Sequence, residues 1–210
     1  IDIFNPVYSS YVPVTTSISY SGGINRQTGV YLQDQVALDK WRLTFGGRYD
    51  WTRDDTWTRS YTVATNRYGA RIPTRGEEEA FSGNLGVLYV ADNGLTPYLS
   101  YAESFQPSGS NTNMSYTLSA FDPVTGKQWE AGIKYQPASF DGLLTFSAYD
   151  LRQQNILTND PDLTHNTCGT AGNSQCQVQD GEGRVRGVEL EGRITPLEGF
   201  SVIGAASWMD

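Results

Sequence analysis

The chain has 210 residues with a formal net charge of −8 and a pI near 4.6, so it lacks the basic stripe that nucleic-acid binding requires, and we expect no nucleic-acid partner. No stretch approaches the eighteen or more consecutive apolar residues of a membrane helix, which excludes a helical membrane protein. Membrane strands remain possible because they are apolar on one face only, and the 13 Tyr, 8 Phe, 5 Trp and 22 Gly suit such strands better than a helical enzyme.

Strict alternation of apolar and polar residues recurs along the chain, whereas the 3.6-residue period of helices is hard to find. In chain order, the alternation predicts eight strands at 27–39, 41–52, 80–91, 96–106, 127–137, 143–158, 181–195 and 200–209. The predicted fold class is therefore all-β: an antiparallel transmembrane β-barrel, of which this chain supplies about eight strands.

The second predicted strand shows the pattern most clearly. Its apolar face carries Trp41, Leu43, Phe45, Gly47, Tyr49 and Trp51. Its polar face carries Arg42, Thr44, Gly46, Arg48 and Asp50. A strand rises about 3.3 Å per residue, so the two tryptophans lie about 33 Å apart along it, or about 24 Å along the membrane normal at a 45° tilt. This spacing matches an apolar band edged by two aromatic girdles.

The predicted connections alternate in length. Short connections are expected at 39–40, 92–94, 137–142 and 196–199, and long ones at 1–26, 52–79, 107–126 and 159–180. Tight periplasmic turns and long extracellular loops are typical of outer-membrane barrels. Both chain ends fall on the long-loop side, and an open sheet would expose two unpaired edges, so we expect further strands before residue 1 and after residue 210.

The two cysteines, Cys168 and Cys176, enclose a short segment rich in Gly, Ser and Asn. A local disulfide is the favoured interpretation, and it would imply an oxidising compartment such as the periplasm or the cell surface. Two free thiols are the alternative. Zinc is disfavoured because His165, the only histidine, cannot complete a four-ligand site with two cysteines.

Several runs of sequence resemble the C-terminal half of TonB-dependent siderophore receptors, especially the ferrichrome and ferrioxamine group. In chain order they are FNPVY at 4–8, QTGVYLQDQ at 27–35, GGRYD at 46–50, TPYLSYAESFQP at 96–107, GKQWEAGIKY at 126–135, YDLRQQNILT at 149–158 and RGVELE at 186–191. Each run alone is weak. Together they keep their order over nearly the whole chain, which makes the resemblance specific.

The resemblance implies a 22-stranded barrel plugged by an N-terminal domain, with residues 1–210 forming part of the barrel wall. It implies import of ferric siderophores, of hydroxamate type, with energy supplied through TonB. The implied partners are the ferric siderophore, the TonB–ExbB–ExbD complex reached through an N-terminal part outside this sequence, and outer-membrane lipid and lipopolysaccharide. The implied protein is not an enzyme, and no resident cofactor is expected.

Other functions remain open at this point. The same wall could import haem, cobalamin or a glycan, or could belong to a non-transport barrel such as an outer-membrane enzyme or adhesin. A Ser/His/Asp constellation would favour an enzyme, and none is evident around the one histidine. A soluble eight-stranded barrel would instead bury Leu43, Phe45 and Ile133 in its core.

Aromatic residues in the long loops are candidates for the siderophore site. A ferric hydroxamate encloses its iron in organic ligand, so its receptor needs aromatic surface and hydrogen bonds rather than metal-ligating side chains. The candidate contacts are Tyr20, Gln27, Trp57, Tyr61, Tyr116 and Phe121. The alternative is that the aromatic residues pack the loops against each other.

Two charged groups receive a structural interpretation. The five arginines of 52–79 are flanked by Asp and Glu, so the charge of this predicted loop nearly cancels, and a solvated, salt-bridged or lipopolysaccharide-facing loop is favoured over an anion site. Glu189, Glu191 and Arg193 are neighbours on one strand face. Because they do not converge across a cleft, they indicate a network on the barrel wall rather than a catalytic pair.

Overall fold

A computed structural model describes residues 17–108, 114–117, 121–169 and 174–210, and these residues form one antiparallel sheet. Its strands are β1 (Ser17–Leu38), β2 (Trp41–Thr62), β3 (Arg67–Tyr68), β4 (Ile72–Tyr89), β5 (Leu95–Gln106), β6 (Val124–Tyr135), β7 (Asp141–Asn159), β8 (Gln177–Leu197) and β9 (Phe200–Met209). The strand order in the sheet is β1-β2-β4-β5-β6-β7-β8-β9, and the short strand β3 pairs with β2 alone. The all-β antiparallel class is confirmed.

No helix in the described part of the chain is long and apolar enough to cross a membrane.

The strands extend further at the long-loop end than predicted. Residues 52–79 were expected to form a loop, but β2 runs to Thr62 and β4 begins at Ile72, with continuous pairing up to Thr58 beside Ile72. Opposite charges face each other across this extension, Arg53 beside Glu77 and Asp55 beside Arg75. Cross-strand pairs of opposite charge stabilise a sheet, so a stretch that looks too charged for a strand becomes one once it is paired.

The remaining connection in this hairpin is 63–71, which holds the 3-10 turn Val63–Thr65 and the two-residue strand β3. Asn66 ends the turn with φ 50°, a left-handed conformation that asparagine tolerates better than most residues. Likewise, β1 begins at Ser17 rather than at the predicted residue 27, and β8 begins at Gln177 rather than at the predicted residue 181. Of the predicted first loop, residues 1–16 lie outside the described residues.

One face of the sheet, which we call the lipid face, collects the large apolar side chains. The register places Phe45 beside Leu85, Leu85 beside Tyr101, and Tyr101 beside Trp129. These side chains do not meet in a core: Phe45 is 43% exposed, Leu85 57% and Ile133 47%. Phe121, Cys168 and Cys176 are the buried apolar residues of the described ranges. The burial expected for a soluble barrel is therefore absent from this part of the chain.

The opposite face, which we call the lumen face, is mostly polar along β1, β2 and β4 to β8. Its members include Gln27, Gln33, Arg48, Asp50, Thr52, Asn84, Ser100, Glu130, Ser147, Glu189 and Arg193. Because a bilayer accepts apolar surface and a barrel interior is hydrated, this division orients the wall. The outer ends of the strands lie at the long connections.

Candidate functional site

The register decides on which face each predicted contact lies. β1 and β2 pair without a bulge from Ser17 beside Thr62 to Leu38 beside Trp41, so side chains alternate strictly along the hairpin. Gln27 falls on the lumen face. Tyr20, Trp57 and Tyr61 fall on the same side as Trp51, which is the lipid face continued above the membrane band. Tyr116 and Phe121 belong to the connection between β5 and β6.

Gln27 is part of a compact polar cluster on the lumen face. Its Nε2 donates to Asp50 Oδ1 at 2.9 Å, and Arg48 donates to both carboxylate oxygens of Asp50, from Nε at 2.5 Å and from Nη2 at 2.7 Å. Asp50 is fully buried by these donors, with 0% of its surface exposed. A two-point guanidinium–carboxylate pair fixes both side chains in one plane.

Glycine makes this cluster possible. Gly29 lies beside Asp50 on β1, and a Cβ there would stand 2.4 Å from Arg48 Nη2 and 2.5 Å from Asp50 Oδ1. Any side chain at 29 would therefore displace the pair. Tyr31, next on this face and beside Arg48, is 74% exposed. The phenol of Tyr31 and the outer edge of the Arg48 guanidinium are thus within reach of a molecule in the lumen.

Sequence reasoning missed Arg48 and Asp50 as site residues. The available signal was their spacing: an Arg and an Asp two residues apart on a strand share one face and can pair directly. Glycine directly across the hairpin was a second signal, but it depends on knowing the strand register.

A cluster of rings and guanidinium groups, which we call the tip cluster, lies where β1, β2 and β4 reach the long-connection end of the sheet. Its members are Tyr20, Trp57, Arg59, Tyr61, Tyr68 and Arg71. The Arg59 guanidinium carbon lies 4.1 Å from the centre of the Tyr68 ring, and that of Arg71 lies 4.3 Å from the centre of the Trp57 ring. Tyr61 and Tyr68 rings are 4.8 Å apart. Rings hold these cations in place without a carboxylate.

Charge along this hairpin is segregated rather than mixed. Residues 56–74 contain three arginines and no Asp or Glu. The acids nearer the membrane are already engaged, since Asp55 pairs with Arg26, Arg53 and Arg75 at 2.9–3.0 Å. The charges of residues 52–79 therefore nearly cancel in total, as predicted, but they do not cancel locally. The tip itself is positive, and its Arg59 and Arg71 lie with the rings on the side away from the lumen.

Two long connections form a joined unit at the outer end of β5–β8. Phe121 is buried, and the backbone of Asp122 is held at two points by Gln179, whose Oε1 accepts the Asp122 N–H and whose Nε2 donates to the Asp122 carbonyl, both at 2.6 Å. Asn155 Nδ2 donates to the Pro123 carbonyl at 3.0 Å. These bonds tie the β5–β6 connection to β7 and β8.

The second connection, 160–176, contains the disulfide between Cys168 and Cys176. Both cysteines are buried, which agrees with the favoured interpretation of the pair. Across the two connections, the Tyr116 ring stacks on the His165 imidazole with centroids 3.7 Å apart and planes inclined by 16°. Tyr116 and Phe121, both predicted as contacts, therefore lie in one packed loop unit.

His165 is held by acids of its own loop. Its Nδ1 lies 2.7 Å from Asp160 Oδ2, and its Nε2 lies 3.7 Å from Asp162 Oδ2. The hydrogen bond from His165, with a backbone N–H from Asp162, lowers the pKa of Asp160. Hydrogen bonds from the side chain and backbone of Thr164 lower the pKa of Asp162. Both carboxylates therefore stay ionised to a lower pH than in an unfolded chain, and their share of loop stability is lost as pH falls through these lowered values.

A basic group lies on the lipid face of β7 and β8. Asp150 stands beside Trp129 and is surrounded by Arg152, Arg184 and Arg186. Three cations around one carboxylate leave a net positive charge on this patch.

Comparison with known proteins agrees with this geometry. A model of the family described as TonB dependent receptor-like, beta-barrel, matches residues 1–210. The chain is 33% identical over 217 residues to the ferrichrome outer membrane transporter/phage receptor of Escherichia coli K12, covering 98% of this chain and 26% of that protein. It is 37% identical over 158 residues to the ferrioxamine B receptor of Salmonella typhimurium, covering 75% of this chain and 21% of that protein.

Among solved structures, the chain is similar to the ferric-catecholate import receptor Fiu from E. coli K12, with a TM-score of 0.72 and 18% identity over 90% of this chain and 28% of that one. At that identity, the likeness shows the fold alone. The chain spans about a quarter of the length of the curated relatives it matches. These relatives are named as receptors and transporters rather than enzymes. The chain belongs to the TonB dependent receptor-like β-barrel family, and its strands form part of an outer-membrane barrel wall.

Proposed function

We propose that the receptor to which this wall belongs imports ferric siderophores of hydroxamate type, with energy supplied through TonB. The observation that carries the proposal is the match to the ferrichrome relative, which extends over 98% of the chain and so includes both wall and loops. The ferrioxamine relative supports the same ligand class. Contact with the TonB–ExbB–ExbD complex is proposed through an N-terminal part of such a receptor.

The lumen face has the chemistry that such a ligand needs. A hydroxamate chelate presents carbonyl and oxygen edges around an iron already enclosed by its ligand, so hydrogen-bond donors and rings recognise it without ligating the metal. Gln27, Tyr31 and Arg48 supply an amide, a phenol and a guanidinium on the lumen face of the β1–β2 hairpin. We propose Gln27 and Tyr116 as siderophore contacts, and we propose that the buried Phe121 supports the loop unit that carries Tyr116. We propose no resident cofactor in the wall.

Tyr20, Trp57 and Tyr61 fit a different partner. Their side of the hairpin faces away from the lumen and joins the positive tip cluster. The basic patch around Asp150 lies on the same lipid face, at the level of Trp129. We propose that these groups contact lipopolysaccharide, whose phosphates attract arginine clusters at the outer leaflet.

The transport proposal is tested with the full-length receptor in a host lacking other siderophore receptors. Radiolabelled ferric hydroxamate, ferric catecholate, haem and cobalamin are supplied with and without functional TonB. We expect TonB-dependent uptake of the ferric hydroxamate. Uptake of haem or cobalamin alone would contradict the proposal.

Gln27→Ala should weaken binding of the ferric hydroxamate by about tenfold, because one hydrogen-bonding group at the ligand and its support of Asp50 are lost together. Gln35→Ala is the matched control, since Gln35 lies on the same face of β1 near the short-turn end. If the two substitutions changed the dissociation constant equally, Gln27 would not be a siderophore contact.

Replacing both Arg184 and Arg186 with Ala should weaken binding of purified lipopolysaccharide by about 30-fold, since each cation near a charged lipid surface contributes about 1 kcal/mol and two are lost. Fluorescence titration of delipidated receptor in detergent measures this affinity. Arg193→Ala is the control, because Arg193 lies on the lumen face of the same strand. A loss as large with Arg193→Ala would contradict the assignment of the patch.

A further inference from the structure

A half-exposed cation and a buried carboxylate form a pair on the lumen face of β2. The side chain of Arg48 is 45% exposed, whereas that of Asp50 is 0% exposed. Arg48 binds Asp50 through Nε and Nη2, which leaves the N–H groups of Nη1 for another partner. A molecule in the lumen therefore meets the donors of Arg48, while the carboxylate that compensates their charge is covered.

The surface beside this pair balances its charges in the same way. Tyr31 of β1 and Ser82 of β4 stand beside Arg48 on either side. A cleft of about 270 Å³ is lined by Tyr31, Gln33, Arg48, Ser82, Asn84 and Glu103, among others. The charged members of this lining are Arg48 and Glu103, so the cleft has no excess of positive charge.

Further toward the outer end, the lumen face of β2 and β4 is negative. Asp54 lies beside Asn25, which donates to its carboxylate, and Glu78 lies beside Thr52 and accepts the Ser108 N–H at 3.0 Å. On the lumen face of β1, β2 and β4, from the level of Gly46 to that of Asp54, the described residues therefore carry one cation and three carboxylates.

Ferric chelates differ in the charge that they bring to such a surface. A hydroxamate group carries one negative charge and a catecholate group carries two, so three hydroxamates neutralise Fe(III), whereas three catecholates leave three negative charges. A face with an excess of carboxylates repels the anionic chelate and can recognise the neutral one through hydrogen bonds. Without Asp50, Arg48 would instead be an uncompensated cation that attracts anions.

We propose that Asp50 is a positioning residue that sets the charge specificity of the lumen. By holding and neutralising Arg48, it makes this arginine a hydrogen-bond donor for neutral ferric chelates and disfavours strongly anionic ones. The proposal rests on the proposed function, since it concerns which chelates the same receptor accepts.

Two synthetic ferric chelates on one tripodal scaffold test the proposal, a neutral tris(hydroxamate) and an anionic tris(catecholate). Fluorescence quenching of the full-length receptor in detergent gives both dissociation constants. The wild type should bind the tris(hydroxamate) more tightly. In Asp50→Asn, the ratio of the two constants should shift toward the tris(catecholate) by about three- to tenfold at low salt, and by less at about 1 M salt, because salt screens the exposed cation.

Two further variants separate the freed cation from a general loss of negative charge. Glu189→Gln removes a carboxylate from the lumen face of β8 and leaves Arg48 paired, so the ratio should shift much less than in Asp50→Asn. The double variant Arg48→Gln with Asp50→Asn keeps the net charge of the wild type and lacks the cation, so the shift should disappear. An equal shift in Glu189→Gln, or a shift that persists in the double variant, would overturn the proposal.

Gly29→Ala disturbs the same pair without a change of charge, and it serves where Asp50→Asn does not fold. Its Cβ would stand 2.4 Å from Arg48 Nη2 and 2.5 Å from Asp50 Oδ1, so the pair must separate, and the ratio should shift in the same direction. Gly86→Ala is the matched control on the lumen face of β4, because its Cβ would lie 3.9 Å from the nearest atom, Thr44 Cβ.

The binding of the tris(hydroxamate) itself distinguishes the two proposals. If the wild type binds it and the ratio stays the same in Asp50→Asn or, where that variant does not fold, in Gly29→Ala, the role of Asp50 in specificity is wrong and the transport proposal stands. If the wild type does not bind it, the transport proposal is contradicted, and the specificity proposal with it.

Discussion

Replacing Leu85 with Arg is expected to destabilise the folded barrel by about 2–4 kcal/mol, the cost of a cation on the lipid face near the bilayer midplane. Leu85 is exposed on the lipid face and stands beside Phe45, halfway between the Trp41 and Trp51 levels. Hydrocarbon surrounds this position, so the guanidinium must reach toward the interface or draw in water, and either response costs free energy.

Asn84→Arg is the matched control for this prediction. Asn84 is the next residue on the same strand, but it lies on the lumen face between Gly46 and Ala102, where a long polar side chain meets small neighbours and water. Urea unfolding of the full-length receptor in liposomes, followed by the shift in gel mobility on heating, measures both variants. A loss for Asn84→Arg as large as that for Leu85→Arg would show that the two faces are assigned the wrong way round.

Replacing Cys168 with Ser is expected to lower the local stability of the 160–176 connection by about 2–3 kcal/mol, since the disulfide closes a short loop across a sequence separation of 8. The amides of Asp160 and Cys176, which bond within this connection, should then exchange roughly 30- to 140-fold faster. The reduced loop no longer holds His165 against Tyr116, so exchange at 114–117 should rise as well.

Amides of the wall provide the control for the disulfide prediction. Gly132 lies in the ladder between β5 and β7, remote from the loop unit, and its exchange should not change. Hydrogen exchange with peptide-level mass spectrometry reports all three regions in one experiment. Faster exchange throughout the wall would indicate global destabilisation, and no change at Asp160 would show that hydrogen bonds alone hold the loop.

The alternation from Trp41 to Trp51 was sufficient to predict the strand, its two faces and the membrane band. This follows because successive side chains on a strand point to opposite faces whatever the partner strand is, so a single local segment shows the pattern. The same holds for the strands around Leu85, Ile133 and Leu190. The cysteine pair was also predictable, since its partners lie close together in the chain.

Other features depended on which segments meet. The charges of Arg53 and Asp55 predicted a loop. In the structure both lie on β2, where Glu77 and Arg75 of β4 pair with them. Tyr20, Trp57 and Tyr61 were predicted as siderophore contacts from their loop position. The continuous β1–β2 register places them on the lipid face, and for that reason we propose lipopolysaccharide as their partner. The burial of Asp50 required Gly29 and Gln27 from a neighbouring strand.

The sequence by itself determined the strands, their apolar and polar faces and the family, because these depend on local periodicity and on runs of residues read along one chain. Only the tertiary structure decided where the strands end, which acids are paired, and that Tyr116 rests on His165 of another loop. The physical reason is that such contacts join residues far apart in the chain, whose proximity is set by strand register and loop packing rather than by any local pattern.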